Sequence, residues 1–539
     1  MPIAPALRPL PGAPAAPGTT PPGEGGALTA APPQRYDLPP GSRRLLTRIG
    51  PLTPETGGLA ATAYGNRGGR WLSILMREVR RPLVSRWGHI LLRRSLLSAT
   101  DTPTNINGAD LAAARALLLL RMGEARAGRM IVQSVDTSRA TPALRSAALQ
   151  AYLANADPAG ICPHVPAMVY APNHDQVWEL AQAMCSALDG ESGSASALIE
   201  RARRRAIAQR IDIVLSEKII GAGADGRRAA TIQWDDVDRL TPWRFGLATA
   251  AGVAIPDRLW RTATPAMRAW ALQAAMIPVP TRMPFASEAA RSGVLSSRAY
   301  VDLVSYAVSL DAPADDVDDQ GRQLRAAFVA ANGGDRVSAI EALATRTAPD
   351  RGYAGLILTA RAAARIRPGE RDQAEAARLI AAMFAGGLDR NAMTWVQQVR
   401  VGSPAWGLLA VGSPRALVGV DAAAVDDFAG DDDSPDGVRT RLLAAALIGL
   451  GRVERSDSGT LQEEYALNLS QQTRWTRAID AAAARGEAGT VALLAAVGLQ
   501  AADWRDLPPY HLYHIVAALS RVGLDAEARM IAVEALTRV

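Results

Sequence analysis

An all-α fold is predicted by three observations. Apolar residues make up 48% of the 539-residue chain, yet only 5% are aromatic, and alanine is prominent. Alanine has the best helix propensity and lets helix backbones approach closely, whereas a strand-rich fold needs more Val, Ile, Tyr and Phe. From Trp71 onward, apolar residues recur with helical spacing in stretches of about 12 to 18 residues, broken by Gly, Pro, Asp and Asn, with no regular strand spacing. A chain of this length holds about three or four ordinary domains or one extended array of repeats.

Residues 1–42 carry twelve prolines within the first 40 positions, a density that resists helix and sheet and reads as a Pro/Ala-rich disordered tether. No apolar h-region marks a signal peptide, although such tethers often follow one. The location is therefore read as periplasmic if a signal sequence upstream of the given start is removed, and as cytoplasmic otherwise. Residues 43–105 open with the irregular stretch "GSRRLLTRIGPLTPETGGLAATAYGNRGG" and continue into two amphipathic helices separated at Pro82, which lacks a backbone donor. This segment reads as a basic N-terminal helical cap. Residues 106–210 read as helical repeats, 211–310 as an irregular insert or a junction containing the β-like run "ATIQW", and 311–539 as further repeats ending in a helical hairpin.

The repeat is clearest in "LSRVGLDAEARMIAVEAL", where Gly523 is followed five positions on by Ala528 and seven later by Ala535. Gly190, Ala195 and Ala202 keep the same spacing; Gly123 with Gly128, and Gly334 with Ala339, keep part of it. A glycine ending one helix and small residues along one face of the next resembles the tetratricopeptide repeat. That resemblance implies a right-handed α-solenoid of degenerate helix-turn-helix units. The chain departs from the pattern where Glu179 and Leu512 stand at the usual early tryptophan position. From "GGLAATAYGNRGG" through "LLLLRMGEARAGRMIVQSVD" the chain also resembles proteobacterial proteins labelled antifreeze glycopeptide related. Ice-binding glycopeptides use long Ala-Ala-Thr arrays, and only fragments such as "LAATAY" occur here.

Composition excludes several chemistries. Lys218 is the single lysine and follows no phosphate-cradling GxxxxGK[ST] loop. Two cysteines, Cys162 and Cys185, exclude a disulfide framework or a four-cysteine zinc site, and are either buried thiols or one disulfide between neighbouring helices. No run is apolar for long enough to span a membrane, since Arg115 interrupts "LAAARALLLLRMG".

Four motifs resemble sites. "IIGAGADG" places Gly221, Gly223 and Gly226 as GxGxxG, but Ile211, Leu215 and Ile219 give the preceding segment helical spacing where a dinucleotide fold needs a strand. His511 and His514 share a helix face without further metal ligands nearby in sequence, and His164 and His174 flank an irregular connection beside Cys162, where proximity in sequence alone suggests a Cys/His nucleophile pair. "AGDDDSPDG" fails the calcium-loop pattern because Pro435 and Leu442 stand at ligand positions. Glu191-Ser192 matches the catalytic pair of lytic transglycosylases by letter only.

The distribution of charge points further. Residues 43–94 hold eleven arginines against Glu55 and Glu78, a local +9 that leaves −3 for the rest of a chain whose total is +6. Arg77, Arg80, Arg81, Arg86, Arg93 and Arg94 interleave with Trp71, Trp87, Ile90 and Leu91, a cationic face suited to an anionic surface, an acidic polymer or an acidic protein. The bland alternative is a first repeat whose arginines solubilise the end of the array.

Together these readings predict a non-catalytic helical-repeat scaffold for protein–protein interaction, without cofactor, transmembrane segment or specific nucleic-acid partner. A cell-wall glycan-associated envelope protein is the second reading, and a nucleotide-dependent enzyme using "GAGADG" the third.

Overall fold

A computed structural model describes residues 44–539 except 172–174, 224–230, 311–314, 346–348, 370–372 and 418. The expected tether, His174 and Gly226 lie outside the described residues. Residues 44–539 form one compact unit, and helices dominate it. The one strand pairing among the described residues joins Arg48–Ile49 antiparallel to Thr100–Asp101. The expected β-like run around Ile232 is irregular, because the Trp234 indole turns inward and donates to the Ala254 carbonyl at 3.1 Å.

Local signals set the helix boundaries. Thr141, Thr241, Thr264 and Ser403 each precede a proline, and each side-chain oxygen accepts a hydrogen bond from the backbone N–H three residues on. Proline fits the first helical position because its missing donor has no partner there, and the hydroxyl caps one of the orphaned N–H groups. At the other end of many helices the chain turns on a glycine with positive φ, at Gly123, Gly190, Gly387, Gly451, Gly486 and Gly523. After each, the next N–H returns to the carbonyl five residues back, as from Glu124 to Leu119 (2.9 Å), Glu191 to Ser186 (2.8 Å) and Leu524 to Leu519 (2.9 Å). This left-handed cap satisfies the last carbonyls and starts a second helix at once, giving helical hairpins. Ala195, Ala202, Ala528 and Ala535 are buried at the crossings. Gly334 behaves differently: it lies inside helix Gly333–Thr345 instead of ending the helix before it.

Two hydrophobic cores follow. The first gathers apolar residues mostly from Ile49 to Ile277, with Leu493 and Ala496 added from the far end, and the second runs mostly from Val279 to Leu536, with Leu59, Ala63, Val84 and Leu91 added from the near end. The chain therefore changes core within the 211–310 stretch, which is built of short helices. Phe245, Trp260, Trp270 and Phe285 lie against one another there, with ring centroids 5.4 to 6.2 Å apart.

Helix Arg86–Leu97 belongs to both cores: Leu91 packs in the second, while Leu92 and Leu96, on another face, pack in the first. Its start meets the last helix of the chain, Asp525–Arg538. The Glu534 carboxylate accepts from the Ser85 hydroxyl (2.7 Å), Arg86 N (2.8 Å) and Trp87 N (3.1 Å). A carboxylate suits that place because the first N–H groups of a helix have no intrahelical partner and carry partial positive charge. Arg94 pairs with Glu527, Gly489 N donates to Ala63 O at 2.8 Å, and Val84 N donates to Leu499 O at 2.9 Å. The 43–105 segment, expected as a cap on a free end, is thus clasped by the far end of the chain.

Arg115, which breaks an apolar run in the sequence, is fully buried and donates to the carbonyls of Leu96 (2.6 Å), Ile49 (2.8 Å) and Ser98 (2.5 Å). It serves as a clamp between the end of helix Arg86–Leu97 and the strand Arg48–Ile49. Burial lowers its pKa.

Candidate functional site

Where the two cores meet, the surface opens into a cleft of about 1130 Å³. One wall is the strap Val79–Val84 that joins the first two helices, and its position follows from backbone contacts. Arg80 N and Arg81 N both donate to Gln500 Oε1, at 2.7 and 3.0 Å, and Gln500 Nε2 donates to Glu78 O at 3.1 Å. Arg538 donates to Val84 O. The remaining walls come from the end of helix Gly108–Arg121, helices Pro265–Gln273 and Ala286–Ser292, helix Pro349–Ala363, and the stretches 501–505 and 537–539.

Seven arginines line this cleft: Arg80, Arg81, Arg121, Arg291, Arg378, Arg505 and Arg538. The carboxylate side chains in the lining are Glu288 and Asp503. Glu288 is held by Arg268, at 2.8 and 2.9 Å, and Asp503 chelates Arg505, at 2.9 and 3.0 Å. The positive surroundings register on Arg121, whose pKa is lowered first by burial and then by Arg80. Arg538 stands 4.9 Å from the Tyr353 ring centroid, and burial pushes the Tyr353 phenol well above its ordinary value, so it remains neutral. Leu83, Leu118, Met122, Phe285 and Leu356 supply apolar lining between the guanidinium groups. A concavity of this kind accepts an extended ligand with both carboxylate or phosphate groups and apolar parts.

The six arginines expected to form one cationic face separate. Arg80 and Arg81 line the cleft, and Arg77 is exposed with its Nε donating to Ser73 O at 3.3 Å. Arg86, Arg93 and Arg94 turn inward. Arg86 is buried and donates to the carbonyls of Ala290 and Leu295; Arg93 binds Glu124 (2.9 Å); Arg94 binds Glu527 and Gly57 O. They face the protein because three separate segments pack against this helix: 290–295 at Arg86, Glu124 at Arg93 and the last helix at Arg94.

Cys162 and Cys185 are joined in a disulfide with Cα atoms 5.4 Å apart, tying the turn Pro158–His164 to helix Val177–Leu188. A bridged Cys162 has no thiolate for a Cys/His pair. His164 is buried beside Tyr152, and its pKa falls to about 4 through burial, with Arg145 adding to the fall. His514 Nδ1 meets Asp480 at 2.9 Å, and His511 packs on Trp475, ring centroids 4.4 Å apart. Gly221 and Gly223 lie in the last turn of helix Arg210–Gly223, so the strand that a dinucleotide loop requires is a helix here. In the acidic loop, Asp432 accepts from Thr440 N (2.9 Å), Thr440 Oγ1 (2.6 Å) and Ser434 N (2.9 Å), anchoring helix Val438–Gly449. Burial raises the Asp432 pKa, but these hydrogen bonds together outweigh it and lower the carboxyl below its ordinary value.

No family model, curated protein or solved structure matches this chain. Sequence reasoning missed the pair His89–Glu124 (2.9 Å, both buried), of which His89 lines the cleft. The Gly-Glu step at 123–124 was visible as a helix end, but nothing in the sequence showed that the glutamate reaches back to His89.

Proposed function

We propose that this chain is a non-catalytic helical-repeat scaffold for protein–protein interaction, working in the bacterial cell envelope, whose central cleft takes an acidic, partly apolar segment of a partner protein. The observation that carries the reading is the gathering of seven arginines from six separate stretches of the chain onto one concavity. Arginine forks pair with carboxylates, and their weak hydration suits a half-buried interface. The glycine-turned hairpins with buried alanines at their crossings support the tetratricopeptide-like reading, with a right-handed solenoid path. The disulfide supports an oxidising compartment.

The test is fluorescence anisotropy of labelled Asp/Glu-rich peptides, some containing Leu and Phe, with basic peptides as controls. Binding that weakens with salt and is lost in Arg81→Glu/Arg505→Glu supports the proposal, since both side chains are exposed and their reversal leaves the fold intact. Equal binding of acidic and basic peptides, or an unaffected double variant, refutes it.

A further inference from the structure

Helix Gly69–Glu78 buries Gly69, Leu72, Ser73 and Met76 and leaves a different face outside. Arg70, Trp71, Ile74 and Arg77 stand on that outer face, at the three- and four-residue spacing that aligns side chains on one side of a helix. Trp71 is 36% and Ile74 50% exposed, two large apolar side chains open to solvent on one helix face. The Arg67 guanidinium lies 5.3 Å from the Trp71 ring centroid, holding the indole at the surface. Among the described residues, neither Arg70 nor Arg77 has a carboxylate partner. The adjacent helix Gly108–Arg121 runs parallel, since Gly69 N donates to Thr104 O near one end and Arg121 to Met76 O at the other.

We propose that this face docks the protein onto an anionic lipid surface. The geometry is an exposed helix face and takes no part in the cleft, so it presents side chains outward instead of receiving a segment. Its chemistry matches a bilayer interface: an indole and an isoleucine enter the headgroup boundary, and guanidinium groups remain among the phosphates. Charge complementarity selects acidic headgroups over neutral ones, because each arginine near such a surface strengthens binding about fivefold. An acidic protein would be a competing occupant, and the test separates the two.

The experiment is co-sedimentation of the full chain with phosphatidylcholine vesicles containing roughly 30% phosphatidylglycerol, an acidic surface, and with pure phosphatidylcholine vesicles. The expected result is binding to the acidic vesicles alone, falling as salt rises from about 50 to about 300 mM. Arg70→Gln/Arg77→Gln weakens it about 25-fold, and Trp71→Ser/Ile74→Ser also releases the protein. Arg81→Glu/Arg505→Glu, at the cleft, retains at least half of the vesicle binding, roughly. All three variants change exposed residues and keep the wild-type circular dichroism and melting curve. Failure of the wild type to bind acidic vesicles, equal binding to neutral ones, or undiminished binding by either face variant overturns the proposal. Those outcomes leave the cleft reading intact, since that is measured with soluble peptides.

Discussion

Replacing Glu534 by alanine tests the clasp between the two ends of the chain. The carboxylate is 1% exposed and accepts three hydrogen bonds at the start of helix Arg86–Leu97, from Ser85 Oγ, Arg86 N and Trp87 N. Ser85 and Arg86 are themselves buried, so water does not readily replace the lost acceptor. Each orphaned buried donor costs about 1 to 3 kcal/mol, and the hydroxyl can rotate to another acceptor, so the two backbone groups dominate. Losing a negative charge at a helix N-terminus adds about 1 kcal/mol. The expected destabilisation is about 4 kcal/mol, seen in a unit of this size as a fall in Tm of about 4 °C. Glu534→Gln keeps one oxygen in place and loses about half as much. Hydrogen–deuterium exchange localises the effect: the amides of residues 86 and 87 exchange faster in Glu534→Ala, while those of helix Arg210–Gly223, remote from the clasp, do not. A Tm within about 1 °C of wild type, with unchanged exchange at those amides, would refute the argument that this carboxylate holds the chain ends together.

Three further outcomes follow from the packing and the titrating groups. Gly355→Ala places a Cβ 2.2 Å from the Leu343 carbonyl oxygen, forcing helix Pro349–Ala363 away from helix Gly333–Thr345; a loss of about 2 to 3 kcal/mol is expected in urea denaturation. Reducing the Cys162–Cys185 bridge, or replacing both with serine, lowers stability by about 3 kcal/mol for a loop of this span, and protein purified with thiols blocked takes up no alkylating label until it is reduced. His164 is neutral when folded, with its pKa near 4, and titrates near its ordinary value of 6.5 when unfolded. The unfolded chain therefore binds the extra proton between those values, and stability falls as pH drops from about 6.5 to about 4, by about 2 kcal/mol after allowing for screening. In His164→Phe that part of the pH dependence disappears from the melting profile.

Much of the local architecture was legible. Gly190 and Gly523 announced left-handed caps because only glycine reaches that backbone region cheaply, and the buried alanines after them marked helix crossings. Gly387, Gly451 and Gly486 end helices in the same way, but their following segments lack the alanine spacing, so they went unread. The charge count in residues 43–94 was correct as a count and misleading as a surface. Composition cannot show that Glu124, Glu527 and Glu534 come from elsewhere to cover Arg93, Arg94 and the start of the helix. The cleft was equally invisible, because its arginines are spread from Arg80 to Arg538 and converge only when two cores meet.

The meeting of Arg94 with Glu527, 433 positions further along, also has a temporal side. A ribosome delivers the early helix long before Glu527 and Glu534 exist, so during synthesis Leu91, the helix start and the Arg94 guanidinium stand bare. Contacts between such distant positions form late, since the intervening loop must close first. Shortening the chain at the far end is therefore expected to leave that helix uncovered and the remnant prone to aggregation, where a smaller working protein would otherwise result.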